Sequence, residues 1–425
     1  MNFDMTGDNR KEQLLYFVLF TLLYIPFLYK YGYSLVSNAT IDFPSYYSAA
    51  KITFAKGLSP YDYKLLVRDG VFIGPPYLYP PTSLLFCYPF SLLSFDAAQA
   101  LMLCVSHVCI LIFIYLSFFK IFDFDAKRPF FIFALVYVLS FQPVQKTIAL
   151  GQINLAVLVF ICLAWYAWLS QSKPFFVALP LSIAIATKTY PALLLFYFLA
   201  RRRYTIVAWT VGLVGGYIGI SWVCLPSGAW FDWLTKVVPS GGYGRAAMGV
   251  LSPTSPWNQS INGFLSRIFI QNQYNEIWTH NPALVRLLMY PIAFLLVATA
   301  IATCVLSSKG KAAKDCINLQ FSFFLLTMFL VGPFSWEHHL TLCLPAIVFL
   351  GYHSVESEDP FVVKILVGLS MVMIAWNVNL GSPILRQGLL TLLISVKLYA
   401  ALVLWAYSAW SLVGLIKAES SCEIS

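Results

Sequence analysis

The stretch Thr82–Phe95, TSLLFCYPFSLLSF, decides how the rest of this chain is oriented. It is apolar enough to pass for a membrane span, and it follows the proline-rich PPYLYPP (Pro75–Pro81). If it crosses a bilayer, every later loop changes side. The question arises because the chain is apolar throughout: 60% of its 425 residues are hydrophobic, 11% are charged, and the mean hydropathy is +0.76. A soluble domain carries roughly 25% charged residues. Several apolar runs approach or exceed the ~20 residues that cross a hydrocarbon core, so the composition predicts an all-α polytopic membrane protein.

Candidate spans are Leu14–Tyr31, Ala97–Phe119, Pro129–Thr147, Gln152–Ser170, Pro174–Thr187, Pro191–Ala200, Thr205–Leu225, Pro282–Leu306, Cys316–Gly332, His338–His353, Phe361–Val378 and Leu389–Leu415, about 12 transmembrane helices in all. With the N-terminus inside, the short cytosolic segments are KIFDFDAKRP, SQSKP, ARRRY, SSKGKAAKD and ESEDP; four of these five are basic. The outer turns hold isolated bases such as Lys146, Lys188 and Arg386. That bias is the positive-inside rule, and it holds only if Thr82–Phe95 does not span. This stretch is therefore expected to be a non-spanning or half-inserted helix, with both chain termini cytosolic.

The same frame excludes other classes. Leu14–Tyr31 follows Arg10 and Lys11 but has no small-residue cleavage site, so it reads as a retained helix rather than a signal peptide. Nine cysteines lie singly with no CxxC, which argues against a disulfide framework or a zinc site. The net charge of +9 is explained by cytosolic Lys and Arg, so no nucleic-acid partner is implied. We find no internal repeat and no low-complexity tract.

Two outer loops are long, 32–96 and 226–281, and are expected to wall an active-site cavity within one membrane-embedded domain, 1–425. In the first, Phe43, Tyr46, Tyr47, Ala50, Phe54 and Leu58 recur at helical spacing, with Ser45, Lys51 and Lys56 on other faces, predicting a helix lying flat in the outer interface. Unusual polar residues gather on this same side: Asp42; PPYLYPP; GQIN (Gly151–Asn154); ATKTYP (Ala186–Pro191); SPWNQSINGFLSR (Ser255–Arg267); and SWEHH (Ser335–His339).

Each has a plain and a chemical reading. Asp42 either caps the helix after it or serves as a general base. Lys188 lies between two spans too short to cross fully, so it sits below the surface. It either snorkels or pairs with a carboxylate, or it binds phosphate. Glu337, His338 and His339 either start a helix or bind phosphate and move a proton; no HExxH supports a metal. GQIN is either a helix start or, through Gln152 and Asn154, a sugar contact. Asn258-Gln259-Ser260 and Asn38-Ala39-Thr40 match glycosylation sequons, although the Asn258 and Gln259 amides also suit sugar hydroxyls. The DFD at Asp123–Asp125 falls in a basic cytosolic loop and reads as a decoy.

In order along most of the chain, Asp42 with its tyrosine-rich helix and KGLSPYD, YLYPP with YPF, GQIN, TKTYPALLL followed by RRR, NQSINGFLSR and WEHH together resemble glycosyltransferase family 87, of the GT-C superfamily. The resemblance implies an alpha-mannosyltransferase in a bacterial inner or plasma membrane, with its site on the periplasmic or extracellular side. It would transfer a hexose from a polyprenyl-phosphate donor to a glycolipid or polysaccharide acceptor, with inversion at the anomeric carbon. Asp42 takes the place of the catalytic aspartate, His338 or His339 that of the late histidine, and Lys188 that of the basic residue in a KPxP-like element. That element reads Lys-Thr-Tyr-Pro here, and no DxD accompanies Asp42, so no divalent metal or other cofactor is expected. Glu337, Tyr46, Tyr47, Tyr79, Gln152, Asn154, Asn258, Gln259 and Arg267 complete the expected substrate contacts, with Tyr77 a further candidate. The rival classes are a transporter or lipid flippase, and a lipid-glycan polymerase or ligase. Repeated halves with broken midplane helices would mark the first; arginines at the outer cavity, such as Arg245 and Arg267, would favour the second.

Overall fold

The computed structural model describes residues 18, 20–32, 41–61, 75–125, 128–275, 277–307 and 314–422. Arg10, Lys11, Leu14–Phe17, the Asn38 sequon, Asp62 of KGLSPYD and the middle of SSKGKAAKD lie outside these residues. The described residues form an all-helical fold with no strand beyond isolated backbone bridges.

Every expected span falls on helix among the described residues, and six helical segments are long and apolar enough to cross a membrane: Phe95–Ile121, Pro129–Leu150, Tyr204–Cys224, Pro282–Leu306, Lys314–Val331 and Gly388–Ile416. Four shorter apolar helices accompany them: Asn154–Leu169, Pro174–Thr187, Tyr190–Ala200 and Phe361–Ala375. Thr82–Ser91 is a ten-residue helix, about 15 Å long at 1.5 Å per residue, half of what a ~30 Å core requires.

Prolines set several boundaries. The run expected as one span at Pro129–Thr147 breaks at Phe141, whose ψ of 106° is extended. Pro143 lacks the N–H a helix interior needs, so it takes the first turn of a new helix, Gln142–Leu150. Pro345 does the same in the late segment, where Glu337–Cys343 is a 3-10 turn and Leu344–Glu356 the α-helix. The helix after Asp42 runs Phe43–Lys56 and ends where Gly57 takes the left-handed conformation (φ 65°), which leaves Leu58 outside it and exposed. Its buried face is wider than the expected apolar stripe: Ser45, Ser48 and Thr53 are buried with Tyr46 and Ala50. That face packs against Thr82–Ser91.

Lys314–Val331 is the central helix, with 78% of its apolar window buried, against 17% for both Tyr204–Cys224 and Pro282–Leu306. The latter two therefore present their apolar sides outward, as lipid-facing helices do. The centre is pinned by paired aromatics and amides. Trp165 stacks on Phe321 at 4.4 Å and donates to Asn318 Oδ1 (3.0 Å), and Trp405 donates to Thr327 Oγ1 (2.9 Å). Such buried donors need partners in an apolar medium.

At one end of the bundle the segments read as cytosolic meet. Arg128 pairs with Glu356, Lys314 with Asp123 at 3.8 Å, and the Arg203 guanidinium lies 4.9 Å over the Trp168 ring. The Asp123–Lys314 pair gives the DFD a plain electrostatic partner.

Candidate active site

Asp42 stands at the N-cap position of Phe43–Lys56, yet its carboxylate makes no capping bond. Its backbone N–H donates to Leu150 O (3.0 Å), mooring the start of that helix to the end of Gln142–Leu150. Gly151 then turns the chain with a φ of 68°, a conformation that costs glycine least. This turn delivers Gln152, whose Nε2 donates to Asp42 Oδ2 at 2.7 Å. The other end of the amide accepts: Gln152 Oε1 lies 2.6 Å from Tyr46 Oη and 3.1 Å from Tyr79 Oη, and the two hydroxyls are 2.6 Å apart. The tyrosines therefore fix which end of the amide meets Asp42. Burial pushes the Asp42 carboxyl above its ordinary 3.8, opposed in part by the Gln152 hydrogen bond and by the charges of Lys188 and Lys146.

Lys188 ends the helix Pro174–Thr187 in an extended conformation and is 3% exposed. Its Nζ donates to Asn154 Oδ1 (2.6 Å) and lies 3.1 Å from His339 Nε2. The faces of Tyr79 (5.3 Å) and Tyr190 (5.9 Å) enclose it. An ammonium has three donors, so two are engaged and one is left for a ligand. With the lysine charged, His339 Nε2 must be the acceptor. Beside it, His338 Nε2 is buried without a protein partner.

These groups share one cavity of about 1010 Å³, at the upper end of ordinary ligand sites. All six polar motifs contribute walls, through Asp42, Tyr79, Gln152, Lys188, Trp257 and His338 among others. Tyr46, Glu337 and His339 also line it.

The other expected contacts are placed elsewhere. Tyr47 donates to Leu93 O (3.0 Å), away from the cavity. Tyr77 is buried and bonds Ser83. Asn154 sits behind Lys188, holding it and also donating to His338 O (3.3 Å). Asn258 donates to Pro253 O and Pro333 O and accepts from Ser260 and Ser335. Gln259 bonds Pro256 O and Ile394 O. Arg267 bonds Ser255 O, Asn258 O and Ser395 Oγ. Burial draws its guanidinium down to about 10, so it remains charged. These three side chains spend their hydrogen bonds on the scaffold, and none lines the cavity. Arg245, exposed, donates to Pro239 O (3.0 Å) and also lies outside the lining.

Three residues that do line it were not singled out from sequence: Tyr190, Trp257 and Trp336. Lys146 also lines it, as the isolated outer base in GQIN's preceding helix. Behind the wall, Lys397 is fully buried, 3.3 Å from Glu337 Oε2 and 2.5 Å from Gln142 Oε1. A lysine inside the last apolar run was the available signal for it. Among the described residues, no three His, Cys, Asp or Glu side chains converge on a possible metal position.

Apolar helices of spanning length, with a mostly apolar cavity walled by loops and helix ends and carrying this cluster of polar groups, define a membrane protein with a large site for an amphiphilic ligand. The chain belongs to glycosyltransferase family 87, whose model matches residues 77–333. It is also similar to a polyprenol-phosphate-mannose-dependent alpha-(1-2)-phosphatidylinositol mannoside mannosyltransferase of Mycobacterium tuberculosis, with 26% identity over 218 residues. That match covers 49% of this chain and 44% of the relative. No solved structure gives a significant match.

Proposed function

We infer that the protein transfers a hexose, mannose in the first instance, from a polyprenyl-phosphate donor to a hydroxyl of a glycolipid or polysaccharide. The observation that carries this is the Asp42 carboxylate. It is free of any capping duty, aimed by Gln152, and shares a cavity with Lys188. The mannose and the lipid-phosphate donor are supported by the family and by the relative's name.

In this mechanism the acceptor hydroxyl gives its proton to Asp42 as its oxygen attacks the anomeric carbon. A raised carboxyl pKa suits a base working near neutral pH. The new C–O bond forms on the face opposite the bond to phosphate, which breaks with its electron pair on the phosphate oxygen, so the configuration inverts. The third donor of Lys188 neutralises the departing lipid phosphate, with His338 Nε2 next to it as a second contact. One such electrostatic donor is worth about 3–4 kcal/mol. Asn154 and the two tyrosine faces keep the lysine in place.

The reading extends to topology: about twelve spans of GT-C type, both termini cytosolic, in a bacterial plasma membrane with the cavity outside. The meeting of the segments read as cytosolic at one end of the bundle, KIFDFDAKRP with ESEDP and with Lys314, supports that orientation. The test is transfer from polyprenyl-phosphate-mannose to a panel of glycolipids by purified protein in liposomes. Product anomeric configuration is read by NMR. Transfer with retained configuration would remove the inverting step, and absence of transfer from any lipid-phosphate sugar would remove the donor.

A further inference from the structure

We propose that Trp257 and Trp336 form a carbohydrate subsite that holds acceptor sugars next to the one that attacks. The proposal rests on the glycosyl-transfer reading of the cavity, and it adds which residues hold the acceptor.

Both indoles line the cavity and stand on two chain segments clamped together. Glu337 N donates to Trp257 O and Gln259 N to Ser335 O, each at 2.8 Å, with an antiparallel bridge between Asn258 and Trp336. The fully buried Asn258 amide locks the clamp by accepting from Ser335 N (3.2 Å) and Ser260 Oγ (2.9 Å). This explains why SPWNQS and SWEHH spend so many polar groups on scaffold: the result is two large rings held rigidly beside the His338 and Glu337 wall.

The rings suit sugar better than lipid. Trp233, also in the cavity wall, has its indole N–H satisfied by Leu78 O (3.3 Å) and neighbours Val237 and Val238, an apolar surface fit for a polyprenyl chain. Trp257 and Trp336 have no such acceptor among the described residues, although Trp257 is 41% exposed and Trp336 half-buried. Gly381 packs against the Trp257 ring, Arg386 donates to Gly381 O (3.2 Å) and covers Tyr274 at 5.7 Å, and Gln273 joins the lining. An aromatic face in a wall that also carries the Gln273 amide and the Tyr274 phenol matches a pyranose, with C–H groups on one face and hydroxyls at the edge.

The experiment uses the full chain in nanodiscs and two readouts. The first is calorimetric binding of the methyl glycoside of an α-linked mannose disaccharide. The second is consumption of polyprenyl-phosphate-mannose. Truncating an aromatic anchor typically costs about tenfold in affinity. We expect W257A and W336A each to weaken disaccharide binding by about tenfold, W257F to retain most of it, and the KM for the donor, measured as its consumption with disaccharide saturating, to stay at the wild-type value. Unchanged disaccharide binding in both alanine variants overturns the subsite. So does a parallel rise in the donor KM, which would assign the rings to the donor or its lipid. Failure of the wild type to bind the disaccharide also overturns it. Binding that depends on both rings, in a protein that consumes no donor, supports the subsite and sinks the donor assignment instead.

Discussion

The segment from Asp42 to Tyr79 and the segment from Ser255 to Arg267 lie in the two long loops and carry similar chemistry, yet they use it in opposite ways. In the first, Tyr46 and Tyr79 meet the Oε1 of Gln152, from another segment, whose Nε2 donates to one carboxylate, and the second oxygen of that carboxylate is left to the cavity. In the second, Asn258, Gln259 and Arg267 close their bonds on backbone carbonyls and Ser395 and offer the cavity nothing. A buried polar group must be satisfied, and whether a ligand or the scaffold satisfies it separates a reactive wall from a supporting one. Substitutions in the two segments should therefore fail differently, the first in turnover and the second in stability.

Asp42→Asn should show the largest effect. The amide keeps the shape and can still meet Gln152, but it cannot take a proton. kcat should fall by ~10²–10⁴, the range for a lost general base, with the thermal midpoint in detergent near that of the wild type. Near-normal turnover in that variant would move the base to His338. The wild type should also show an acid limb in kcat/KM above pH 3.8, activity dropping as pH falls through the raised value. The stability sign is opposite. A raised carboxyl binds its proton more tightly when folded, so its contribution is present below the unfolded value and lost as pH rises through the folded one. A pH–rate profile and pH-dependent melting separate the two.

Lys188→Met comes next. Removing the charge aimed at the departing phosphate should lower kcat by ~10²–10³, while the binding of acceptor disaccharide is unaltered. A rise in acceptor KM alone would place the lysine on the wrong substrate.

Arg267→Met tests the supporting wall. It leaves Ser255 O, Asn258 O and Ser395 Oγ without their donor, and hydrogen bonds from a charged group each contribute about 1.5–3 kcal/mol. We expect a clear drop in melting midpoint, with the folded fraction turning over within a few-fold of wild type. Intact stability with lost turnover would return Arg267 to the substrate.

Which wall is which was only half legible in the sequence. The helices were legible because apolar runs and prolines act locally: Pro143 and Pro345 moved boundaries but removed no element. The short Thr82–Ser91 helix followed from charge bias alone. Gathering six motifs on one cavity was also legible, since membrane sidedness reduces their arrangement to one choice. The partner of each polar tip was not. Asn258 and Gln152 look alike as amides in short polar motifs, and only contacts between residues far apart in sequence commit the first to the clamp onto Ser335 and the second to Asp42. Lys397 was missed for the same reason, since its partners Glu337 and Gln142 belong to other segments.

Tyr46 and Tyr47 give the smallest and sharpest version of the comparison, because they are neighbours on one helix. Tyr46→Phe removes a hydroxyl that helps hold Gln152 Oε1, whereas Tyr47→Phe removes one that bonds Leu93 O. Each change costs a single neutral hydrogen bond, about 0.5–1.5 kcal/mol. The cost should appear in different places. Without Tyr46, Tyr79 alone orients the amide, so Asp42 loses part of its aim and kcat should fall about three- to tenfold, the same energy on the barrier. Tyr47→Phe should leave kcat and both KM values unchanged and lower the melting midpoint slightly. Equal kinetic losses in the two variants would mean that the helix as a whole, rather than the Tyr46–Gln152–Asp42 chain, positions the carboxylate.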